Sequence, residues 1–410
     1  MLFASLLRKV IQDGSIRLID CTGKTNIFGD QSEPVCTVRL HNRALDYTLA
    51  FDPALTVPEA YMEGSLTIED GSLYDFIDVA ARNFRRLERT KFHRLMKCFD
   101  FAMFGQYNPI KRARRNVAHH YDLSDELYQL FLDHDRQYSC AYFPETDTDL
   151  ETAQHAKKRH LAAKLGLEEG QSVLDIGCGW GGLALYLSQV ENVDITGITL
   201  STKQQKVASE RASNAGITDR VRFKLQDYRH EQKVYDRIVS VGMFEHVGKM
   251  NYAEFFTNVA KLLSDDGVMV LHSIGRFDTP HAINPFIRKY IFPGADLPAL
   301  SEVTRAIEPT GLRITDIEIL RLHYAETLKL WRERFMEQWD KAAKIYDDRF
   351  CRMWEAYFVL CEVGFRHLDL MVFQIQLTKN IDAVPLTRDY MVDWERQQAE
   401  RENKKRRHAA

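Results

Sequence analysis

Residues 173–182 read VLDIGCGWGG, which puts Gly177, Gly179 and Gly182 at the spacing of a nucleotide-binding turn, after strand-forming residues and before an apolar helical pattern. Glycines at such positions let the backbone approach a ligand, and the amides of the turn can meet a carboxylate. Three features favour S-adenosylmethionine over a nicotinamide dinucleotide. Asp175 stands two residues before the first glycine, Gly181 completes D-x-G-x-G-x-G, and no acid sits at the tip of the next strand, where a dinucleotide site would carry one. Asp175 is expected to answer the amino group of the methionine moiety. The next strand ends in GITLSTKQ, so Thr199 and Gln204 are left to hold the ribose hydroxyls through neutral hydrogen bonds. LQDYR then supplies Gln226, Asp227 and Tyr228, with Asp227 able to accept from the adenine amino group and a ring able to pack on the base. The competing reading is a glycine-rich turn that holds no ligand.

Other chemistry-bearing residues are ambiguous when read alone. Cys140 lies between Tyr138 and Tyr142 in DRQYSCAYF, and free cysteine is among the most buried residue types. Tyr121 and Tyr138 suit a core as well as a site. His272, in the apolar run LHSIG, reads as a satisfied core histidine. Glu245 and His246 of MFEHVG could mimic a metal pair, but no third ligand accompanies them at useful spacing, and no metal is expected.

The elements that must position these residues change character along the chain. From about residue 20 to 80, short strand-like runs such as CTVRL and DYTLAF alternate with turn signals at FGDQSEP and FDPAL, as in a small α+β domain. From residue 116 helices begin, with SDELYQLFLDH capped by Ser124. After residue 170 the text alternates strand and helix: SVLDIG, GGLALYLSQV, VDITGI, STKQQKVASERASNAG, VRFKLQ, DRIVSV, YAEFFTNVAKLLS and GVMVLHSIG. Such alternation predicts a parallel sheet covered by helices, with ligands outside the carboxyl ends of its strands.

Composition narrows the classes. The chain has 410 residues, 45% hydrophobic and 28% charged, with 11 prolines and 21 glycines, as in a globular protein of two unequal domains. Seven cysteines without a C-x-x-C pair argue against a disulfide framework and a zinc site, and for a reducing cytoplasm. MLFASLLRKVIQDGS carries its charges after its apolar run, so no secretion signal is expected. The longest uncharged run, between Asp175 and Glu191, is too short and glycine-rich for the roughly 20-residue apolar helix that spans a bilayer.

The formal net charge of -3 conceals a basic segment: between Arg82 and Arg115, eleven lysines and arginines face two acids. Phe92, Leu95, Met96, Phe99 and Met103 recur there at helical spacing, giving an aromatic-rich face flanked by positive charge. A solvated linker helix is one reading. A surface that sits on anionic lipid is the sharper one, each basic residue near the headgroups contributing about 1 kcal/mol. Nucleic acid is not expected, because the chain is near neutral and carries no recognisable reading motif.

With these residues in view, the chain resembles the cyclopropane-fatty-acid synthase family of S-adenosylmethionine-dependent methyltransferases. The resemblance rests on NVAHHYDLSDELYQLFLD, YSCAYF, VLDIGCGWGGLALYL, GITLSTKQ, LQDYR, DRIVSVGMFEHVG, NPFIRKYIFPG and LHYAETLKLWRERF, which run from residue 116 to about 380 in the family's order. The region before 110 resembles, less sharply, the N-terminal domain of the bacterial phospholipid-acting enzymes, which the relatives acting on carrier-bound mycolic acids lack. The resemblance implies an α/β fold: a Rossmann-like seven-stranded class I methyltransferase domain over residues 111–395, a smaller N-terminal α+β lipid-engaging domain over 1–110, and a polar tail over 396–410.

It also implies methyl transfer to a cis double bond of an acyl chain in membrane phospholipid, then ring closure to a cyclopropane. An alkene is a poor nucleophile, so the sulfonium methyl must be held in line with water absent. Aromatic faces can stabilise the resulting carbocation, and a weak base must remove a proton. A strong nucleophile would trap the cation, so Cys140 is not read as one. In the family the base is taken to be a bound bicarbonate ion, in a pocket whose positions match Cys140, Glu245, His272, Ile274 and Tyr324. Like charges repel, so Glu245 is expected to accept the bicarbonate hydroxyl's hydrogen bond while Tyr324, His272 and backbone amides donate to the other oxygens. Tyr121, Tyr138 and Ser139 match positions set against the methionine portion of the cofactor. The protein is expected to be cytoplasmic and peripherally bound to the inner face of the membrane. A homodimer fits the resemblance, since two membrane-facing domains on one assembly raise avidity. Alternatives are a methyl- or methylene-branched lipid product, methylation of another lipid or a small amine, and a lipid-binding protein without catalysis.

Overall fold

A computed structural model describes residues 2–30, 32, 35–88 and 124–409. Tyr121 and the basic segment beyond Glu88 lie outside the described residues. The chain divides into two compact units. The first comprises Met1–Gly105, His281–Pro293 and Leu328–Leu370, and the second comprises Gln106–Pro280, Gly294–Thr327 and Met371–Ala410. A single cut near residue 110 would leave the two internal segments with the second part, whereas they pack with the first.

In the first unit, strands β1 (Ser15–Ile19), β2 (Thr25–Gly29), β3 (Val35–Leu40) and β4 (Leu66–Asp70) form a sheet in the order β2-β1-β3-β4. CTVRL is strand β3, as its alternation predicts. DYTLAF is not a strand: Leu45–Phe51 is a helix. Six residues are too few to separate period 2 from period 3.6, and the buried pair Leu45 and Leu49 is one turn apart. The structure also settles the helix from outside it, because the Asp46 carboxylate accepts hydrogen bonds from the Leu2 and Phe3 amides at 2.8 and 3.1 Å. FDPAL is a helix start, not a turn. Asp52 caps helix Pro53–Met62 by accepting from the Leu55 amide, with Pro53 in the first turn, where its missing N–H costs nothing. Helix Asp348–His367 is tied to this unit by Arg352 Nε on the Met62 carbonyl (2.9 Å) and by His367 Nε2 paired with Asp78 Oδ1 (2.6 Å).

The second unit holds seven strands: β5 (Ser172–Ile176), β6 (Asp194–Thr199), β7 (Val221–Leu225), β8 (Tyr235–Val241), β9 (Leu263–Arg276), β10 (Arg313–Ile319) and β11 (Leu370–Thr378), in the order β10-β11-β9-β8-β5-β6-β7. β5 pairs in parallel with β6 and β8, as does β6 with β7 and β8 with β9, while β10 and β11 are antiparallel. The helix after Ser124 is shorter than the pattern suggested, Asp125–Gln129, but Ser124 caps it by accepting from the Leu127 amide at 3.2 Å. Ser201 caps helix Thr202–Asn214 in the same manner.

Strands β5, β6, β8 and β9 are buried almost throughout, which is why they read as apolar runs rather than alternations. Alternate residues of β5 divide between two cores. Leu174 and Ile176 join Phe244, Phe255 and Phe256, while Val173 joins Leu161, Leu165, Leu183 and Leu187. The chain leaves β5 toward β6 and β7 on one side and returns to β8 and β9 on the other. The crevice at this reversal is where a doubly wound sheet binds its ligand.

Candidate functional site

A cavity of about 150 Å³ opens at the carboxyl ends of β5 to β8 and is walled by Tyr138, Ser139, Asp175, Gly177, Gly179, Thr199, Gln204, Gln226, Asp227 and Tyr228. All but two of the residues expected from the sequence to hold a cofactor therefore line this one cavity. Tyr121 lies outside the described residues. Gly181 stands back from the cavity and starts helix Gly182–Val190 at φ +83°, where an added Cβ would come within 2.7 Å of Phe223 Cζ and 3.0 Å of Ala208 Cβ. It is a packing glycine. Gly179, at φ +54°, has nothing within 4 Å of where its Cβ would be, as a turn approached by a ligand requires.

Asp175 is 1% exposed, and its Oδ2 has no hydrogen-bond partner among the described residues. Burial pushes its pKa up to about 7, against the pull of the Lys157 charge. An orphaned buried carboxylate asks for a donor, and the ammonium of S-adenosylmethionine would supply one, so these residues fit that cofactor. Thr199 Oγ1 donates to Gln204 Oε1 at 3.0 Å, and the Gln226 amide donates to the Thr199 carbonyl at 3.0 Å, which joins the ends of β6 and β7. Asp227 is more engaged than the sequence suggested. Arg229 Nε and Nη2 each donate to one of its oxygens at 2.8 Å. Burial raises the Asp227 pKa, but these bonds outweigh it and leave the carboxyl below its ordinary value. Tyr138 belongs to an aromatic cluster, edge-on to Tyr128 at 5.4 Å, with Tyr128 in turn edge-on to Trp180 at 5.2 Å.

The five residues of the second expected set, Cys140, Glu245, His272, Ile274 and Tyr324, do not line this cavity and fall into two bonded groups. In one, the Ile274 amide donates to Glu245 Oε1 at 2.6 Å, and the Gly242 amide donates to the His272 carbonyl at 3.0 Å, holding the loop after β8 against β9. Glu245 is 5% exposed, its Oε2 has no partner among the described residues, and burial pushes its pKa up to about 7. His272 is held neutral by burial and by nearby positive charge from Lys157 and Lys164. The side-chain amide of Gln374 lies 3.1 Å from His272 Nδ1 and holds the ring by a hydrogen bond. In the other group, the segments that carry Cys140 and Tyr324 are joined by two bonds. The Ala141 amide donates to Thr327 Oγ1 at 3.0 Å, and the Phe143 amide donates to His323 Nδ1 at 2.9 Å. Cys140 is fully enclosed and burial pushes its thiol pKa well up, so it stays a thiol rather than a nucleophilic thiolate.

Three cavity residues had no signal in the sequence. Lys157 comes from helix Leu150–Leu165, Arg136 has φ +56° in a non-glycine residue, and Trp180 hides among the loop glycines. A lysine within a helical pattern reads as solvated, and the ordinary place of the Lys157 side chain would be the surface. Only the near-complete burial of that helix turns it inward. Among the described residues, no group of three His, Cys, Asp or Glu could hold a metal.

Residues 109–375 match the protein family described as mycolic acid cyclopropane synthetase. Over 272 residues the chain is 41% identical to the cyclopropane-fatty-acyl-phospholipid synthase of Escherichia coli strain K12, covering 66% of this chain and 70% of that protein. It is 40% identical over 283 residues to the tuberculostearic acid methyltransferase UfaA1 of Mycobacterium tuberculosis, covering 65% and 66%. Among solved structures it is similar to the mycolic acid cyclopropane synthase CmaA1 complexed with SAH and CTAB, with 33% identity, a TM-score of 0.62, and coverage of 66% of this chain and 99% of that one.

Proposed function

The chain belongs to the mycolic acid cyclopropane synthetase family of S-adenosylmethionine-dependent methyltransferases, and from that premise we propose that it transfers a methylene group from S-adenosylmethionine to a cis double bond of an unsaturated phospholipid acyl chain, closing a cyclopropane. The observation that carries this reading is Glu245: a buried, neutral-leaning carboxyl with one oxygen fixed by the Ile274 amide and the other without a partner among the described residues, in a turn whose next residue, His246, lines the cavity. Such a group can accept a hydrogen bond from a bound acid without repelling it.

When bound, the cofactor supplies an electrophilic methyl group. Asp175 takes its ammonium, Thr199 and Gln204 its ribose, and Asp227 and Tyr228 its adenine. Tyr138 and Trp180, which line the cavity and pack on Tyr128, would exclude water and offer ring faces to positive charge. Bicarbonate would supply the base. Glu245 would accept the hydrogen bond of its hydroxyl, His272 and Tyr324 would donate to its other oxygens, and Cys140 would line the pocket as an inert thiol. Residues 1–110 would engage lipid, with the basic segment 82–115 facing anionic headgroups from the cytoplasmic side. Among the described residues, no helix is long and apolar enough to cross a membrane.

The test is gas chromatography with mass spectrometry of fatty acids from monounsaturated, partly anionic vesicles incubated with the protein, bicarbonate and methyl-deuterated S-adenosylmethionine. A labelled acid that has gained one carbon and lacks a double bond is expected. The 40% identity to a tuberculostearic acid methyltransferase favours a second reading, methyl branching on the same double bond. A labelled acid that still hydrogenates would choose it, and no labelled lipid from folded protein would refute the phospholipid substrate.

A further inference from the structure

Lys157 is 0% exposed and lines the cavity, yet its Nζ donates only to Ser139 Oγ, at 2.8 Å, and makes no ion pair among the described residues. The other buried lysines of the same helix are paired, Lys158 with Asp135 and Lys164 with Glu318. The Asp133 and Asp135 charges act on Lys157 without forming an ion pair with it, and a buried ammonium that no carboxylate bonds is strongly unfavourable. The same cavity is lined by the opposite deficiency, the Asp175 carboxylate with an oxygen lacking any donor among the described residues. Lys157 and Asp175 feel one another's charge but form no ion pair. A cation bonded to no carboxylate and a carboxylate oxygen short of a donor, both lining one cavity, complement the two charged ends of an α-amino acid.

We propose that Lys157 is the cation that binds a carboxylate-type anion in this cavity, and that the anion is the carboxylate of the cofactor's amino-acid end, with Asp175 taking the adjacent ammonium. The assignment rests on the cofactor reading above. It deepens that reading, because discrimination between the intact cofactor and adenosine fragments would then lie in one buried side chain and not in the glycine turn. The Lys157 charge also reaches Cys140 and His272, so bicarbonate is the other source the same cation could serve.

The test is a thermodynamic cycle by isothermal titration calorimetry: S-adenosylhomocysteine and its decarboxylated analogue, S-adenosyl-3-thiopropylamine, each titrated into the wild-type protein and into Lys157→Met. The substitution nearly conserves volume and removes an unpaired charge, so the variant is expected to fold, and the wild-type arm needs no variant at all. Removing the carboxylate should weaken binding to the wild-type protein by about tenfold or more, and Lys157→Met should weaken S-adenosylhomocysteine similarly while leaving the analogue within about threefold. Wild-type protein that binds neither ligand refutes the cofactor reading itself. Wild-type protein that binds both equally refutes the role of Lys157 alone. Unchanged ligand affinities combined with a raised bicarbonate requirement for turnover in Lys157→Met would overturn the cofactor as the source and assign the cation to bicarbonate.

Discussion

Replacing Glu245 with glutamine should make the protein more stable at high pH while removing most of its turnover. The reason lies in the carboxyl's surroundings. Its pKa stands at about 7 in the folded chain against 4.5 for an ordinary glutamate, and desolvation is the main cause. The pKa is raised, so as pH climbs from 4.5 the unfolded chain gives up this proton before the folded one does. Stability is lost across the window between those two values and the loss is complete above the upper one. At about 1.4 kcal/mol per unit, the penalty at alkaline pH is about 3 kcal/mol. Glutamine keeps an oxygen to accept from the Ile274 amide but cannot ionise. Urea unfolding of the two proteins should therefore give stabilities within about 1 kcal/mol of each other near pH 4, diverging to about 3 kcal/mol in favour of the variant near pH 8. A difference that does not grow with pH would refute the buried, neutral-leaning carboxyl. Turnover that survives the substitution would refute its place beside the base.

Other perturbations probe the supports of the site. Gly181→Ala should cost about 2–4 kcal/mol in urea unfolding, since it adds a strained positive φ to a collision with Phe223 and Ala208. Gly179→Ala, whose Cβ meets nothing, should cost only about 1–2 kcal/mol yet weaken S-adenosylhomocysteine binding; the reverse order would mean the two glycines are misassigned. Thr327→Val leaves the Ala141 amide without its acceptor and should destabilise by about 1–3 kcal/mol. No loss of stability would show that the amide finds water, and that this bond does not fix the loop carrying Cys140. Iodoacetamide treatment of native protein followed by peptide mass mapping should label exposed Cys21 and leave Cys140 untouched, because burial both shields the thiol and holds it protonated. Equal labelling would contradict the enclosed thiol.

How much of this was legible beforehand follows from the range of the interactions involved. The strands that carry the cavity were readable because a strand covered on both faces must be apolar along its length, which SVLDI and DRIVSV show directly. The cap at Ser124 was readable because it bonds an amide within its own first turn, whereas the same role of Ser201 is seen only in the structure. Leu45–Phe51 was misread because its helix is settled by Asp46 meeting the amides of Leu2 and Phe3, more than forty residues away. Spacing alone cannot separate a glycine that admits a cofactor from one, such as Gly181, that leaves room for a phenylalanine ring.

The sequence by itself determined the glycine turn, the doubly wound order of strands and helices, and the residue types at the carboxyl ends of β5 to β7, since each follows from local geometry and from what a sheet must bury. Tertiary structure alone decided which of those residues line one cavity, that Arg229 occupies Asp227, and that Lys157 points inward with no ion pair among the described residues. Burial of a charge depends on everything packed around it, and the elements that enclose Lys157 come from distant parts of the chain. No pattern along its own helix could have announced it.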